Sequence, residues 1–329
     1  MKYALISVRG NCELLKHFFP FLVELRGTLK EKLEKAFRYY NVVVFVGSIG
    51  VLFRQINEMI TSKFVDPAVI VIDEMFKFCI PVLSAHLGGA SDICLELNKR
   101  VGCQPVFTTA TDVNGVLGID RLARRYNFAF LYREGIRDVN RKLLEGKGVT
   151  VTGDVGKMKI PRGYRYVSGK ADVGIGRRGA MVTLIPRDLA LGVGFHSGVD
   201  VSDIYREYID LLPLDLRLRV SVAATLRDKW KTAVFHEFSK LIGALHTRGY
   251  TVDEIKRSEK LMGIPFNEVV EGYMGVSAVA KPNGYMASQM GTEVLTVKGK
   301  VSKFSLFRIE NLMWQEGIFD SEEVPDPIR

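Results

Sequence analysis

Apolar and polar positions come in alternating blocks along the first 126 residues. Runs that are apolar nearly throughout sit at 3–8, 42–47, 68–73 and 78–83, each of strand length, and 104–109 also reads as a strand. A strand without polar alternation is one covered on both faces. Between these runs, stretches at 25–40, 48–60, 91–101 and 112–125 space their apolar residues as a helix does. Residues 74–77 are few enough for a hairpin turn. Strands alternating with helices at this spacing predict an α/β fold, a three-layer α/β/α domain around a largely parallel sheet.

The rhythm changes after residue 126. Strands are expected at 128–133, 149–153, 163–169 and 171–176, with one short basic helix at 135–146. Glycines and Pro161 punctuate them, which reads as a small α/β middle module with exposed loops. From 181 the segment 182–194 leads into a strand ending at Gly192 and Gly194. A helix over 200–212, a strand over 221–226 and a long helix over 228–247 follow. Thr251 and Glu254 have capping-box spacing and open another helix. A β-hairpin over 292–310 turns at 298–300, completing an α/β C-terminal domain. The tail after Trp314 is acidic and proline-containing and reads as loose. The expected domains are therefore 1–126, 127–180 and 181–329.

Composition adds little until charge is located. The net charge of +9 in 329 residues is confined to one stretch. Residues 119–180 hold fifteen basic and six acidic residues, and the rest of the chain holds 31 of each sign. Aromatic residues Tyr126, Phe128, Phe130, Tyr132, Tyr164 and Tyr166 interleave with that charge. Such a stretch suits an anionic partner, either single-stranded nucleic acid or a ligand with many carboxylates. A solvated basic face is the structural alternative. The four cysteines lack CxxC or zinc spacing and read as buried apolar residues. No apolar run reaches the ~18–20 residues of a membrane span. The N-terminus turns polar too early for a signal peptide, so a cytoplasmic protein is expected.

Several groups of residues could carry chemistry. Ser84-Ala-His86-Leu-Gly88-Gly89 follows a strand and precedes a helix, where free N–H groups bind anions. His86 at a strand end could serve as a general base on water. A tight turn whose His packs or caps is the structural alternative. Thr108, Thr109, Thr111 and Asp112 stand at another strand-to-helix junction, where they cap a helix or hold substrate oxygens. Asp66, and the adjacent Asp73 and Glu74, are further candidate bases or else turn residues. Gly192-Val-Gly194-Phe-His196-Ser197-Gly198 misses the dinucleotide spacing but could form a second anion loop. No metal or cofactor site is expected.

Three blocks, Lys63 to Glu74, Ile80 to Ala90 and Gln104 to Asp112, resemble in order and spacing the N-terminal signature of the cobalamin-biosynthesis protein G family. The departures are in the C-terminal part. Gly192-Val-Gly194-Phe195-His196-Ser197-Gly198 stands where the family tends to read G-I-G-C-R-[KR]-G. Val279-Ala280-Lys281-Pro282-Asn283-Gly284 stands where it tends to read V-x-E-P-A-A. The family's K-x-x-E segment has no clear counterpart near Leu226–Lys231.

The resemblance implies a cobalt-precorrin-5A hydrolase, in which water opens a ring lactone and a two-carbon fragment leaves as acetaldehyde. The implied partner is an anionic cobalt tetrapyrrole that brings its own cobalt, so no separate cofactor, nucleic acid or membrane is expected. On this reading His86 or Glu74 is the base, and Gly88 and Gly89 donate to the oxyanion. Ser84, Thr108, Thr109, Asp112, Arg133 and Arg137 bind substrate. The alternative is a non-catalytic anion binder, either a divergent tetrapyrrole binder or a nucleic-acid binder. The sequence leaves a homo-oligomer open.

Overall fold

A computed structural model describes residues 2–10, 12–156 and 158–309, and it divides into two compact units on either side of the Pro186–Arg187 bond. The first unit carries two sheets. The first sheet and its helices are β1 (Tyr3–Ser7), α1 (Glu13–Phe18), β2 (Leu22–Glu24), α2 (Leu29–Tyr39), β3 (Val42–Val46), α3 (Ile49–Ile56), β4 (Ala68–Ile72), β5 (Phe78–Leu83), α4 (Ala90–Val101), β6 (Gln104–Pro105) and α5 (Ala110–Val113). The strand order is β2-β1-β3-β4-β5-β6. Strands β1 to β4 are parallel, and β5 turns back antiparallel to β4. Every residue of β1, β3 and β4 is buried, because helices cover both faces. One face packs Leu5, Val44 and Ile70 on α1 and α4, and the other packs Ile6, Phe45 and Val71 on α2 and α3. This is the expected three-layer arrangement.

The second sheet uses α6 (Ile119–Arg125), β7 (Phe128–Tyr132), α7 (Ile136–Leu144), β8 (Val149–Gly153), β9 (Tyr164–Tyr166), β10 (Val173–Ile175) and β11 (Val182–Pro186), in the order β7-β11-β10-β8-β9. Two expected boundaries shift. The helix expected over 112–125 is two helices, because Gly115 adopts φ +62 beyond α5 and the chain leaves the first core there. Leu117, Ile119 and Leu122 already belong to the second core. At the other end β11 pairs with β10 and β7, so the second sheet runs to 186 and not 180. The strand expected over 104–109 shortens to β6.

The second unit comprises β12 (Leu189–Phe195), α8 (Val201–Leu211), α9 (Leu214–Leu218), β13 (Val220–Leu226), α10 (Arg227–Trp230), α11 (Ala233–Leu241), β14 (His246–Tyr250), α12 (Val252–Met262), α13 (Glu268–Met274), α14 (Ala280–Ala287), β15 (Glu293–Lys298) and β16 (Ser302–Arg308). Its sheet has the order β14-β13-β12-β16-β15. The long helix expected over 228–247 breaks. Thr232 caps a new helix through the Phe235 amide, and Gly243 at φ +68 lies beyond its C-terminal end. His246 onward is an edge strand. A methyl group on Gly192 would run into the α14 backbone at Ala280 and Gly284. That glycine lets a helix lie directly on β12, so its use here is packing rather than an anion loop. The tail after Trp314 lies outside the described residues.

Candidate functional site

The direction of β5 decides where the expected site residues fall. His86 follows β5, but β5 is antiparallel to β4. Its C-terminal end is therefore the amino end of the parallel strands, away from the edge where open α/β sheets bind ligands. Ser84 adopts φ +50 and its hydroxyl donates to the Asp66 carbonyl at 3.1 Å. Gly89 adopts φ +87, and a Cβ there would strike the Arg124 guanidinium. Arg124 also donates to the Leu87 carbonyl at 3.0 Å. The Gly88-Gly89 turn thus has a protein cation packed against it where an oxyanion was expected.

His86 lies between two carboxylates. Nε2 is 3.1 Å from Asp112 Oδ2, and Nδ1 is 3.3 Å from Asp120 Oδ2. The three side chains are only 10%, 3% and 7% exposed. Burial pulls the imidazole pKa down, but hydrogen bonds and charge from Asp112 and Asp120 outweigh it and push it up to about 9. Burial works against Asp112 as a carboxylate, yet His86, Thr109 and Arg121 hold it down at about 2. Asp120 is lowered in the same way, against its own burial, chiefly by His86.

The network extends outward. Asp112 Oδ2 accepts from the hydroxyls of Thr109 at 2.6 Å and Ser91 at 3.0 Å. Arg121 reaches Asp112 at 3.4 Å and Asp92 at 2.7 Å. Lys63 stands 3.8 Å from Asp120, and Arg133 stacks 4.1 Å over the ring of Phe64. Thr108 and Arg137 are exposed nearby in sequence.

Most expected residues therefore gather at the boundary of the first two sheets, but not in the expected roles. At neutral pH His86 is an imidazolium whose two N–H groups face carboxylates. In that form it has no lone pair to take a proton from water, and the arrangement favours a positioning role over that of a base. Sequence reasoning missed Asp92, Asp120, Arg121 and Arg124. The spacing of Asp120, Arg121 and Arg124 on one helix was the available signal.

Glu74 is elsewhere. It sits in the β4–β5 turn, at the carboxyl end of the parallel strands. The six residues of β5, at ~3.3 Å each, put it roughly 20 Å from His86, so the two do not share a site. Its neighbour Asp73 is committed to the turn, accepting from the amides of Phe78 at 2.6 Å and Met75 at 3.0 Å. Glu74 instead faces solvent, 43% exposed, and pairs with Arg9 at 3.0 Å. Arg133 and Arg137 are on the far side from it.

The basic stretch is partly spent internally. Arg121 joins Asp92, and Lys142 pairs with Asp172 at 2.6 Å. Phe128, Phe130 and Tyr164 point into the second core. Half of the interleaved aromatics are therefore core, while Tyr132 and Tyr166 remain exposed. Lys157 lies outside the described residues. Among the described residues no group of three His, Cys, Asp or Glu side chains is arranged for a metal, and no helix is long and apolar enough to cross a membrane.

Comparison with known proteins gives these contacts a context. The Cobalamin synthesis G N-terminal family matches residues 31–112. The probable cobalt-precorrin-5A hydrolase of Methanocaldococcus jannaschii is 28% identical over 250 residues, spanning 74% of this chain and 75% of that protein. The cobalt-precorrin-5A hydrolase of Salmonella typhimurium is 34% identical over 154 residues, 45% of this chain and 42% of that protein. A crystal structure of a cobalamin biosynthesis protein G homolog from Sulfolobus solfataricus covers 94% of this chain and 97% of its own, at 21% identity and a TM-score of 0.43. The matched N-terminal segment and the relatives aligned with it make this chain similar to the cobalamin-biosynthesis protein G family.

Proposed function

We propose that this chain is a cobalt-precorrin-5A hydrolase. The observation that carries the reading is the alignment over 74% of the chain with a relative named for that reaction. The substrate is then a cobalt tetrapyrrole rimmed with carboxylates, and the cobalt arrives with it. Water adds to the lactone carbonyl and the ring ester C–O bond breaks. The freed hydroxyl then loses its proton and becomes a carbonyl as the carbon–carbon bond holding the two-carbon fragment breaks, the electron pair of that bond stays with the macrocycle, and the fragment leaves as acetaldehyde.

That chemistry needs a group to take the proton from water and return it to the leaving oxygen. Glu74 is the carboxylate in the open, on a turn fixed by Asp73 and held by Arg9. We assign it that proton transfer. His86 becomes a positioning residue: with Asp112 and Asp120 it ties the turn after β5 to α5 and α6. A base-stacking anion binder without activity is the less favoured reading, because three of the six aromatic side chains it would use lie in the second core.

The test is the purified full chain with cobalt-precorrin-5A under anaerobic conditions, measuring acetaldehyde. Release at one equivalent per substrate is expected. No release, with a reference enzyme working in parallel, rejects the activity.

A further inference from the structure

The other end of the first sheet has been used so far only for Glu74. Its topology marks it. From β1 the chain passes through α1 on one face to β2, while β3 lies on the opposite side of β1 and leads to α3 on the other face. The loops after β1 and β3 therefore diverge and leave a crevice at the strands' carboxyl ends, the place where open α/β sheets take ligands.

The crevice has a fixed floor. Gly47 adopts φ +150, its amide donates to the Ile72 carbonyl at 2.9 Å, and a Cβ on it would meet Val8 at 2.9 Å. Around that floor, apolar side chains are left in water. Val8 is 48% exposed, Ile49 40% and Met75 72%. Two arginines edge them. Arg9 bridges to Glu74, and the Arg54 guanidinium folds back to within 3.9 Å of the Cβ position of Gly50 at the start of α3. Apolar residues left exposed together and flanked by cations mark a surface for a ligand that is itself apolar on its face and anionic at its edge.

We infer that this switch-point crevice is the bed for the tetrapyrrole macrocycle. The ring face lies across Val8, Ile49 and Met75. Acetate and propionate groups of its rim pair with Arg9 and Arg54, and the lactone is presented to Glu74. The inference rests on the substrate class given under Proposed function and adds the place where that substrate is held.

The test uses cobalt uroporphyrin, a non-reactive cobalt tetrapyrrole with eight carboxylates, titrated into the full chain and followed by its visible absorbance. Arg9→Ala/Arg54→Ala should raise Kd at least tenfold, and Met75→Asp should do the same. Arg133→Ala/Arg137→Ala, at the other end of the sheet, should change Kd by less than twofold. All these side chains are exposed, and circular dichroism checks that each variant folds. Loss of binding in the Arg133/Arg137 variant with none in the Arg9/Arg54 variant overturns the bed, as does no binding by the wild-type chain at millimolar probe. Acetaldehyde release is scored separately. Release combined with binding indifferent to Arg9 and Arg54 removes the bed and keeps the activity. Binding that depends on both arginines without release keeps the bed and removes the activity.

Discussion

Replacing Asp112 by Asn keeps the shape of the His86 network and deletes one of its two negative charges. His86 titrates at about 9 in the folded chain, against 6.5 unfolded. Holding the imidazole that far above its ordinary value corresponds to about 3 kcal/mol of folding free energy. Because the folded pKa is the higher one, this stability is fully present below pH 6.5 and is lost as pH rises through 9. The depressed pKa of Asp112 reports the same contact and is not added to it. In Asp112→Asn the buried imidazolium keeps Asp120 alone, and removing one partner of a buried pair costs about 3–5 kcal/mol. Urea unfolding at pH 6 and at pH 10, for wild type, Asp112→Asn and His86→Gln, measures both effects. The wild-type minus His86→Gln difference should shrink by about 3 kcal/mol between those pH values. An NMR titration of the His86 ring should show its midpoint near 9 in the wild type and lower in Asp112→Asn. A His86 midpoint at or below 6.5, with Asp112→Asn as stable as wild type, would refute the paired imidazolium.

Glu74→Gln should lower kcat by about 10²–10⁴-fold with little change in probe Kd, as loss of a proton-transfer group does. A kcat within twofold of wild type excludes that role. Gly192→Ala forces a methyl group into the α14 backbone and should cost about 3 kcal/mol or more, measured by urea unfolding. Glu207 accepts from the amides of Lys300, Val301 and Ser302 at 2.6, 3.0 and 2.9 Å. Its burial raises its pKa, but the Ser302 hydroxyl and these amides lower it overall. The stability it gives is present above pH 4.5 and lost as pH falls through the lowered value. Glu207→Gln should therefore unfold with a weaker acid dependence below pH 4.5 than wild type, and an unchanged acid profile counts against the contact.

The buried strands were legible because their apolar runs leave no alternative. All residues of β1, β3 and β4 are buried, and 42–46 and 68–72 read as such from Val, Ile and Phe alone. The capping box of α12 was equally plain, since Thr251 and Glu254 carry both halves of the hydrogen bonding locally. Edge elements were not. β14 reads His-Thr-Arg-Gly-Tyr, with four residues partly exposed and one fully exposed, so its sequence does not separate it from the helix before it. The break between α5 and α6 was hidden for another reason. Apolar spacing continues from 112 to 125, while the cores it serves change at Leu117.

The site shows where sequence reading stops. His86 stands at a strand end beside a Gly-Gly turn, and that pattern is real. What makes a strand end a ligand site is the direction of its neighbours, which a local pattern does not carry. The four-residue turn at 74–77 was expected to be a hairpin, and a hairpin reverses β5 against β4. Carried one step further, that expectation would have placed His86 and Glu74 at opposite ends of the sheet before any coordinates. It would also have paired Glu74, rather than His86, with the loops after β1 and β3. The charges then sort by what surrounds them. At the His86 end each carboxylate meets cations from a neighbouring element, so charge there fixes two sheets together. At the Glu74 end Arg9, paired with the exposed Glu74, and Arg54 stand among exposed apolar side chains, where a ligand with anionic groups can reach both cations.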